Sequence, residues 1–211
     1  MYTLYFSPGT ASMTPHLALL EIGAPYELKR VDIDAGDNRK ADYLKLNPTG
    51  RVPTLLIDGE PFYETAALLM HLADRHPEAR LAPPPGTPDR ARWYQWIVHA
   101  ANMIQPALRL WYYPSDIAAP DLEARVKDAV QKQLTGYWST LDAHLDQVGP
   151  YLLGETYSAA DGMLTMLMRW SRNLPKPAIE WPHLHALAQR VTARPARKTM
   201  YQREGLTEWQ P

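Results

Sequence analysis

A hydroxyl residue directly follows an acidic one at Glu64-Thr65, where an apolar helical pattern begins. The first N–H groups of a helix have no partner inside it, and the helix dipole makes this end positive. A threonine hydroxyl placed there completes a binding site for an anion such as a carboxylate. The alternative is that Thr65 is an N-cap, which stabilises only its own helix.

A second candidate site is the tripeptide Arg51-Val52-Pro53, which leads directly into the apolar run Thr54 to Ile57. Proline lacks an N–H, so in sheets it is confined to strand starts, edges and bulges. If the Val52-Pro53 bond is cis, the main-chain N–H and C=O of Val52 turn away from the sheet, where an extended peptide can pair with them. The alternative is a trans proline that only opens a strand.

The elements that must position these residues alternate in the first part of the chain. Tyr2 to Phe6 is β-prone, and Thr14-Pro15 is typical of the cap and first residue of a helix that ends at Gly23. Further strands are predicted at 26–34, 54–57 and 61–63, and helices at 39–46 and 65–75. The predicted order is βαβαββα.

The pattern changes after residue 76. Residues 76–89 are rich in proline and typical of a stiff linker. The later residues have only helical patterns, at 89–113, 121–147, 158–172, 181–193 and after Pro195. The sequence therefore predicts a small α/β domain at 1–77, a linker at 78–88 and an all-α domain at 89–211.

The composition argues against several classes of protein. A formal net charge of -1 makes nucleic acid an unsuitable partner. No apolar run approaches the roughly 20 residues that a bilayer requires, and no signal-peptide pattern opens the chain, so we expect a soluble, cytoplasmic protein. The chain contains no cysteine, which excludes a thiol nucleophile. No metal site is expected, because His183 and His185 have no acidic cluster beside them in the sequence.

The element order, the proline before the third strand and the segment "YETAALLMHLADRHP" together resemble the glutathione transferase family over nearly the whole chain. The resemblance implies a thioredoxin-like first domain in which Val52, beside Arg51, precedes a cis proline and pairs with the cysteinyl backbone of glutathione. It also implies that Glu64 and Thr65 bind the γ-glutamyl carboxylate. A further family mark is Ser158-Ala159-Ala160-Asp161, a helix capping box.

Members of this family hold the glutathione thiol as a thiolate beside an electrophile. Thr10 falls where theta- and delta-like members carry a catalytic serine, Ala11 where beta-like members carry a cysteine, and Ser12 one residue further on. Ser12 and Thr10 are the predicted thiol donors, since both lie close to a helix N-terminus. Tyr5 or main-chain N–H groups are the alternatives. Ala11 argues against the mixed-disulfide chemistry of cysteine-bearing relatives.

Two stripes run along the predicted helix 89–113. The apolar stripe consists of Trp93, Ile97, Ala100, Ile104, Leu108 and Trp111, and the polar stripe of Gln95, His99, Asn102 and Pro106. By resemblance, Gln95, His99 and Asn102 are candidate contacts to glutathione, with ordinary solvent-facing or core roles as the alternative. The candidates for an apolar pocket that receives the electrophile, or for core positions, are Met103, Trp111, Tyr112 and Tyr113.

These observations predict a cytosolic glutathione transferase whose bound thiolate attacks a small apolar electrophile. Glutathione is then a substrate and no cofactor is expected. The resemblance implies a homodimer. Two competing functions stay open, a non-catalytic protein that binds glutathione or apolar ligands and a glutathione-dependent reductase or lyase.

Overall fold

The computed structural model describes residues 1–211, which divide into two units. The first unit consists of residues 1–82 and 194–208, and the second of residues 83–193 and 209–211. The strands are β1 (Tyr2–Phe6), β2 (Tyr26–Arg30), β3 (Thr54–Ile57) and β4 (Glu60–Tyr63). The helices are α1 (Met13–Ile22), α2 (Ala41–Leu46), α3 (Thr65–Arg75), α4 (Pro88–His99), α5 (Gln105–Tyr112), α6 (Glu123–Val148), α7 (Ala159–Trp170), α8 (Pro182–Thr192) and α9 (Pro195–Glu204).

The first unit is built on a four-stranded mixed sheet in the order β2-β1-β3-β4. β1 runs parallel to β2 and antiparallel to β3, and β3 is antiparallel to β4. Leu4 and Leu55 on the central strands and Leu19 on α1 are fully buried, which places the core between sheet and helices. The predicted βαβαββα order is confirmed, as is the combination of an α/β part with a helical part.

The start of α1 differs from the prediction. The helix begins at Met13 after Ser12, so Thr14 lies inside it, and Pro15 is its third residue. Proline is tolerated there because N–H groups in the first turn have no helical acceptor in any case. The helix ends as predicted at Gly23, whose φ of 73° is favourable only for a residue without a side chain.

The last helix lies in the first unit, although the predicted all-α domain of 89–211 included it. α9 buries Met200 and Tyr201, and Arg194 just before it forms a bidentate ion pair of 2.6 and 2.8 Å with Glu21 of α1. The expected linker at 78–88 is also divided, because Leu81 is buried and belongs to the first unit. Contacts between distant parts of the chain, rather than local composition, set these boundaries.

The second unit contains α4 to α8. Where a single helix was predicted over 89–113, residues Ala100–Ile104 form a π-helical turn between α4 and α5. Pro106 explains this turn, since its ring and its missing N–H disrupt regular α-helical bonding to the preceding turn. The apolar stripe is confirmed from Trp93 through Leu108, whose members are buried. No helix of the protein combines the length and the apolar character that a membrane span needs.

The predicted capping box at the start of α7 is confirmed. Asp161 is fully buried, and its Oδ2 accepts hydrogen bonds from the N–H of Ser158 at 2.8 Å and from its hydroxyl at 2.9 Å. The Oδ1 atom accepts a bond from the N–H of Leu152 at 2.8 Å. Asp161 thus fixes both the helix start and the preceding loop.

Candidate functional site

The strand register brings three chain segments to one edge of the sheet. Tyr5 near the end of β1 pairs with Thr54 at the start of β3, and Thr54 pairs with Tyr63 at the end of β4. The segment after β1, the segment before β3 and the segment after β4 therefore leave the sheet side by side. These three segments carry the thiol-donor candidates, the predicted cis proline and the predicted anion site.

The segment before β3 has the predicted backbone geometry, because the Val52-Pro53 bond is cis. Pro53 is buried and Val52 is half-buried. Neither the N–H nor the C=O of Val52 takes part in a main-chain hydrogen bond within the protein. These two groups are the pair that an extended peptide needs for strand-like binding, although the pairing itself stays a prediction.

Polar side chains hold this segment in place from behind. The C=O of Arg51 accepts bonds from the Tyr43 hydroxyl at 2.7 Å and from the Asn47 amide at 2.8 Å, while Asn38 donates to the C=O of Gly50 at 2.7 Å. Burial raises the pKa of Tyr43, so its hydroxyl keeps the proton that it donates. The Arg51 side chain is exposed. The sequence analysis missed these supporting residues, because isolated polar residues carry no periodic signal.

Replacing Tyr43 by phenylalanine is expected to lower the free energy of unfolding by about 1 kcal/mol, since one buried hydrogen bond to the Arg51 carbonyl is lost while the Asn47 bond remains. Chemical denaturation measures the change. Tyr5→Phe is the matched control, because the Tyr5 ring lies 5.9 Å from that of Tyr43 without a printed hydroxyl contact to this carbonyl. Equal losses in the two variants would contradict the assigned support.

The segment after β4 ends in an unusual backbone conformation. Glu64 has a φ of 74° and precedes the first residue of α3, Thr65. A non-glycine residue in this conformation costs on the order of 1–3 kcal/mol, and such strain is concentrated at ligand sites. Glu64 is exposed, and the Thr65 side chain forms no capping bond. The hydroxyl of Thr65 and the first N–H groups of α3 are thus available to an anion, and the plain N-cap alternative for Thr65 is not observed.

The segment after β1 contains a cluster of hydroxyl groups around the C=O of Ser7. Thr10 Oγ1 lies 2.7 Å and Ser12 Oγ 3.0 Å from this oxygen, and the two hydroxyl oxygens are 2.9 Å apart. Ser12 is fully buried and Thr10 is half-buried. A fully buried hydroxyl presents no surface to a ligand, so the geometry favours Thr10 over Ser12, the reverse of the predicted order. Tyr5, the alternative donor, is half-buried.

The polar candidates on the second unit have different environments. Gln95 and Asn102 are exposed. The His99 ring packs edge-on against Trp96 and Tyr137 at 5.7 and 5.9 Å, and its buried Nε2 has no hydrogen-bond partner. Burial lowers the pKa of His99, which favours the neutral ring. Because the π turn contains Asn102, the four polar residues do not form the continuous α-helical stripe that was predicted.

The candidates for the apolar pocket are mostly exposed. Met103, Tyr112 and Tyr113 have 41%, 38% and 53% of their surface accessible, and Trp111 is half-buried. The core alternative therefore does not hold for the first three.

The expectation that no acidic residues accompany His183 is wrong. Its ring nitrogens lie 3.3 Å from Asp142 and 3.4 Å from Asp146 on α6, which only the folded chain brings close.

Comparison with known proteins gives full-length matches. The family model "Glutathione S-transferase, N-terminal domain" matches residues 10–75, and "Glutathione S-transferase, C-terminal domain" matches residues 99–195. Glutathione S-transferase GST-4.5 of Xanthomonas campestris pv. campestris is 30% identical over 204 residues, which cover 96% of this chain and 98% of that protein. Glutathione S-transferase GstA of Escherichia coli O157:H7 is 29% identical over 209 residues, with 96% and 98% covered.

Solved structures agree with these matches. The crystal structure of a glutathione transferase homologue from Sulfitobacter, with bound glutathione, has a TM-score of 0.88 and 30% identity to this chain. The comparison covers 98% of this chain and 99% of that chain.

Proposed function

Because this chain belongs to the glutathione S-transferase family, we propose that it binds glutathione at the edge of its sheet and directs the thiolate at a small apolar electrophile. The observation that carries the proposal is the register of β1, β3 and β4. This register places a hydroxyl donor, an unpaired main-chain segment and a helix N-terminus beside one another. Each can serve a different part of the tripeptide.

Two of these segments suit the tripeptide's backbone and its γ-glutamyl end. Val52 offers a main-chain N–H and C=O to the cysteinyl residue, as an added strand does. The Thr65 hydroxyl and the first N–H groups of α3 suit the γ-glutamyl carboxylate, which the positive end of the helix dipole also attracts. The exposed side chains of Arg51 and Glu64 flank these groups.

The third segment suits the thiol. A free thiol has a pKa near about 8.5 and is only a few per cent ionised at neutral pH. A hydrogen bond to the charged sulfur contributes about 1.5–3 kcal/mol, which lowers the thiol pKa by roughly one to two units. When the Ser12 hydroxyl donates to the Ser7 carbonyl at 3.0 Å, the Thr10 hydroxyl is free to donate to the thiolate. Thr10 is then the thiol donor and Ser12 supports it.

The other parts of this proposal extend beyond the sheet edge. The exposed apolar side chains of Met103, Tyr112 and Tyr113 support an apolar second substrate. The roles of Gln95, His99 and Asn102 toward glutathione, and of Trp111 toward the electrophile, stay predictions. We also propose, from family membership, that the protein acts as a homodimer in the cytoplasm and uses glutathione as a substrate, without a cofactor.

The test measures the thiol of bound glutathione by thiolate ultraviolet absorbance against pH, together with conjugation of a chloronitrobenzene. In the wild type we expect the bound thiol's pKa one to two units below about 8.5. Thr10→Val should raise this pKa by about one unit and lower the conjugation rate at pH 6.5 roughly tenfold. Ser12→Ala should have a smaller effect, since a buried hydroxyl acts only through Thr10.

Two outcomes would contradict this assignment. A wild-type protein that binds glutathione but conjugates no faster than buffer is a binding protein rather than a transferase. An unchanged thiol pKa in Thr10→Val would remove Thr10 as the donor and leave Tyr5 or main-chain N–H groups.

A further inference from the structure

A buried carboxylate from the end of α9 contacts the loop that carries the thiol-donor candidates. The side chain of Glu204 is fully buried, and its Oε2 accepts a hydrogen bond from the N–H of Gly9 at 3.0 Å. Its Oε1 lies 2.7 Å from Nδ1 of His16, a side chain on α1 that is also fully buried. Glu204 is separated from Gly9 by 195 positions in the sequence, yet lies in the same unit.

The hydrogen bonds around Glu204 have a single consistent direction. Arg203 can only donate, so the Tyr26 hydroxyl oxygen accepts its bond of 2.6 Å. Burial raises the pKa of Tyr26, so the phenol keeps its proton and directs it to Nε2 of His16 at 2.9 Å. His16 then carries its proton on Nδ1 and donates it to Glu204. Each proton in this chain has an acceptor, and both carboxylate oxygens are fixed.

The contact with Gly9 matters because of the position of Gly9 in the loop. Gly9 has a φ of 73°, a left-handed conformation that favours glycine, and the next residue is Thr10. On its other side, Ser7 is held by the Thr10 and Ser12 hydroxyls. The direction of the Thr10 side chain is thus determined by the hydroxyl cluster and by the Gly9 peptide, which Glu204 holds.

We propose that Glu204 is a positioning residue for thiol activation, which fixes the Gly9 peptide so that the Thr10 hydroxyl is directed at the glutathione sulfur. This inference rests on the proposed function. It makes the last helix a functional part of the thiol site rather than only a packing element. The chemistry of the site itself is unchanged, since Glu204 acts through the main chain and does not contact the substrate.

The test compares Glu204→Ala with Arg194→Ala. The Arg194–Glu21 ion pair also joins the α9 region to α1, but the pair does not involve the loop. In Glu204→Ala we expect the pKa of the bound thiol to rise by about one unit and kcat at pH 6.5 to fall roughly tenfold, with the glutathione Kd changed less than about threefold. In Arg194→Ala we expect a lower melting temperature with an unchanged thiol pKa.

Two further variants keep the test informative. Glu204→Gln retains an oxygen for the Gly9 N–H while its amide donates to His16, so we expect it to restore the wild-type thiol pKa. If Glu204→Ala does not fold, Glu204→Asp replaces it, because a side chain shorter by one methylene cannot span Gly9 and His16 together. Its thiol pKa is then expected to rise.

The results separate the two levels of inference. A wild-type thiol pKa in the folded alanine or aspartate variant overturns the positioning role and leaves the proposed function intact. A shift of the same size in Arg194→Ala also overturns it, since any loosening of α9 would then suffice. A wild-type protein that binds no glutathione overturns both.

Discussion

Replacing Asp161 by alanine is expected to lower the free energy of unfolding by about 3–5 kcal/mol, since three buried donors lose their acceptor together. The N–H groups of Leu152 and Ser158 would be left unpaired, and the first turn of α7 would lose its cap. A loss of this size is a large fraction of the about 5–15 kcal/mol that stabilises a typical domain. Chemical denaturation at neutral pH measures it.

The control for this prediction is Ser158→Ala, which removes only the hydroxyl from the capping box. It should cost about 1 kcal/mol, because the Asp161 carboxylate still accepts both N–H groups. If Asp161→Ala costs no more than Ser158→Ala, the two main-chain bonds to the carboxylate contribute nothing.

The cost of Asp161→Ala should also depend on pH. Burial raises the pKa of Asp161 from 3.8 to about 6, against the opposing effect of the Leu152 and Ser158 donors. Between these values the folded protein binds more protons at this site than the unfolded chain does. The stabilisation from Asp161 is therefore fully present below about pH 4 and declines by about 1–3 kcal/mol as the pH rises to about 6. A difference between wild type and variant that grows with rising pH over this interval would contradict the assigned direction.

Replacing Thr65 by valine is expected to raise the Kd for glutathione roughly 10- to 100-fold, the cost of one hydrogen bond to a charged carboxylate. The hydroxyl forms no capping bond in the protein, so the change should leave the melting temperature nearly unchanged. Titration calorimetry measures the affinity. This combination distinguishes an anion site from a stabilising cap.

The matched control is Thr65→Ser, which keeps the hydroxyl and loses one methyl group. Its Kd should stay within about threefold of the wild type, since the interaction with the carboxylate is retained. Equal glutathione affinities in the valine and serine variants would sink the anion site at the start of α3.

The sequence was most informative where a local rule determines the structure. The cis Val52-Pro53 bond, the Ser158-to-Asp161 capping box and the buried stripe from Trp93 depend on neighbours or on a helical period, and all three were predicted. The strand order also followed from short apolar runs separated by turns. These features need no knowledge of distant contacts.

What the sequence did not reveal depends on long-range contacts or on exact helix phase. The His16–Glu204 pair joins residues 188 positions apart, and no local pattern marks either residue as a partner. Pro106 was visible, but the local spacing alone did not determine that the chain would absorb it as a π turn. The burial of Ser12 was equally hidden, because an N-terminal hydroxyl can face either solvent or the protein interior.

The return of α9 to the first unit has a consequence for biosynthesis. When residues 1–82 have left the ribosome, His16 and Glu21 on α1 still lack the partners that Glu204 and Arg194 provide. Domains usually form in the order in which they are translated. Here the amino-terminal half remains unfinished until the final codons are read, and translation pauses or nonsense mutations near the 3′ end of the message would damage it first.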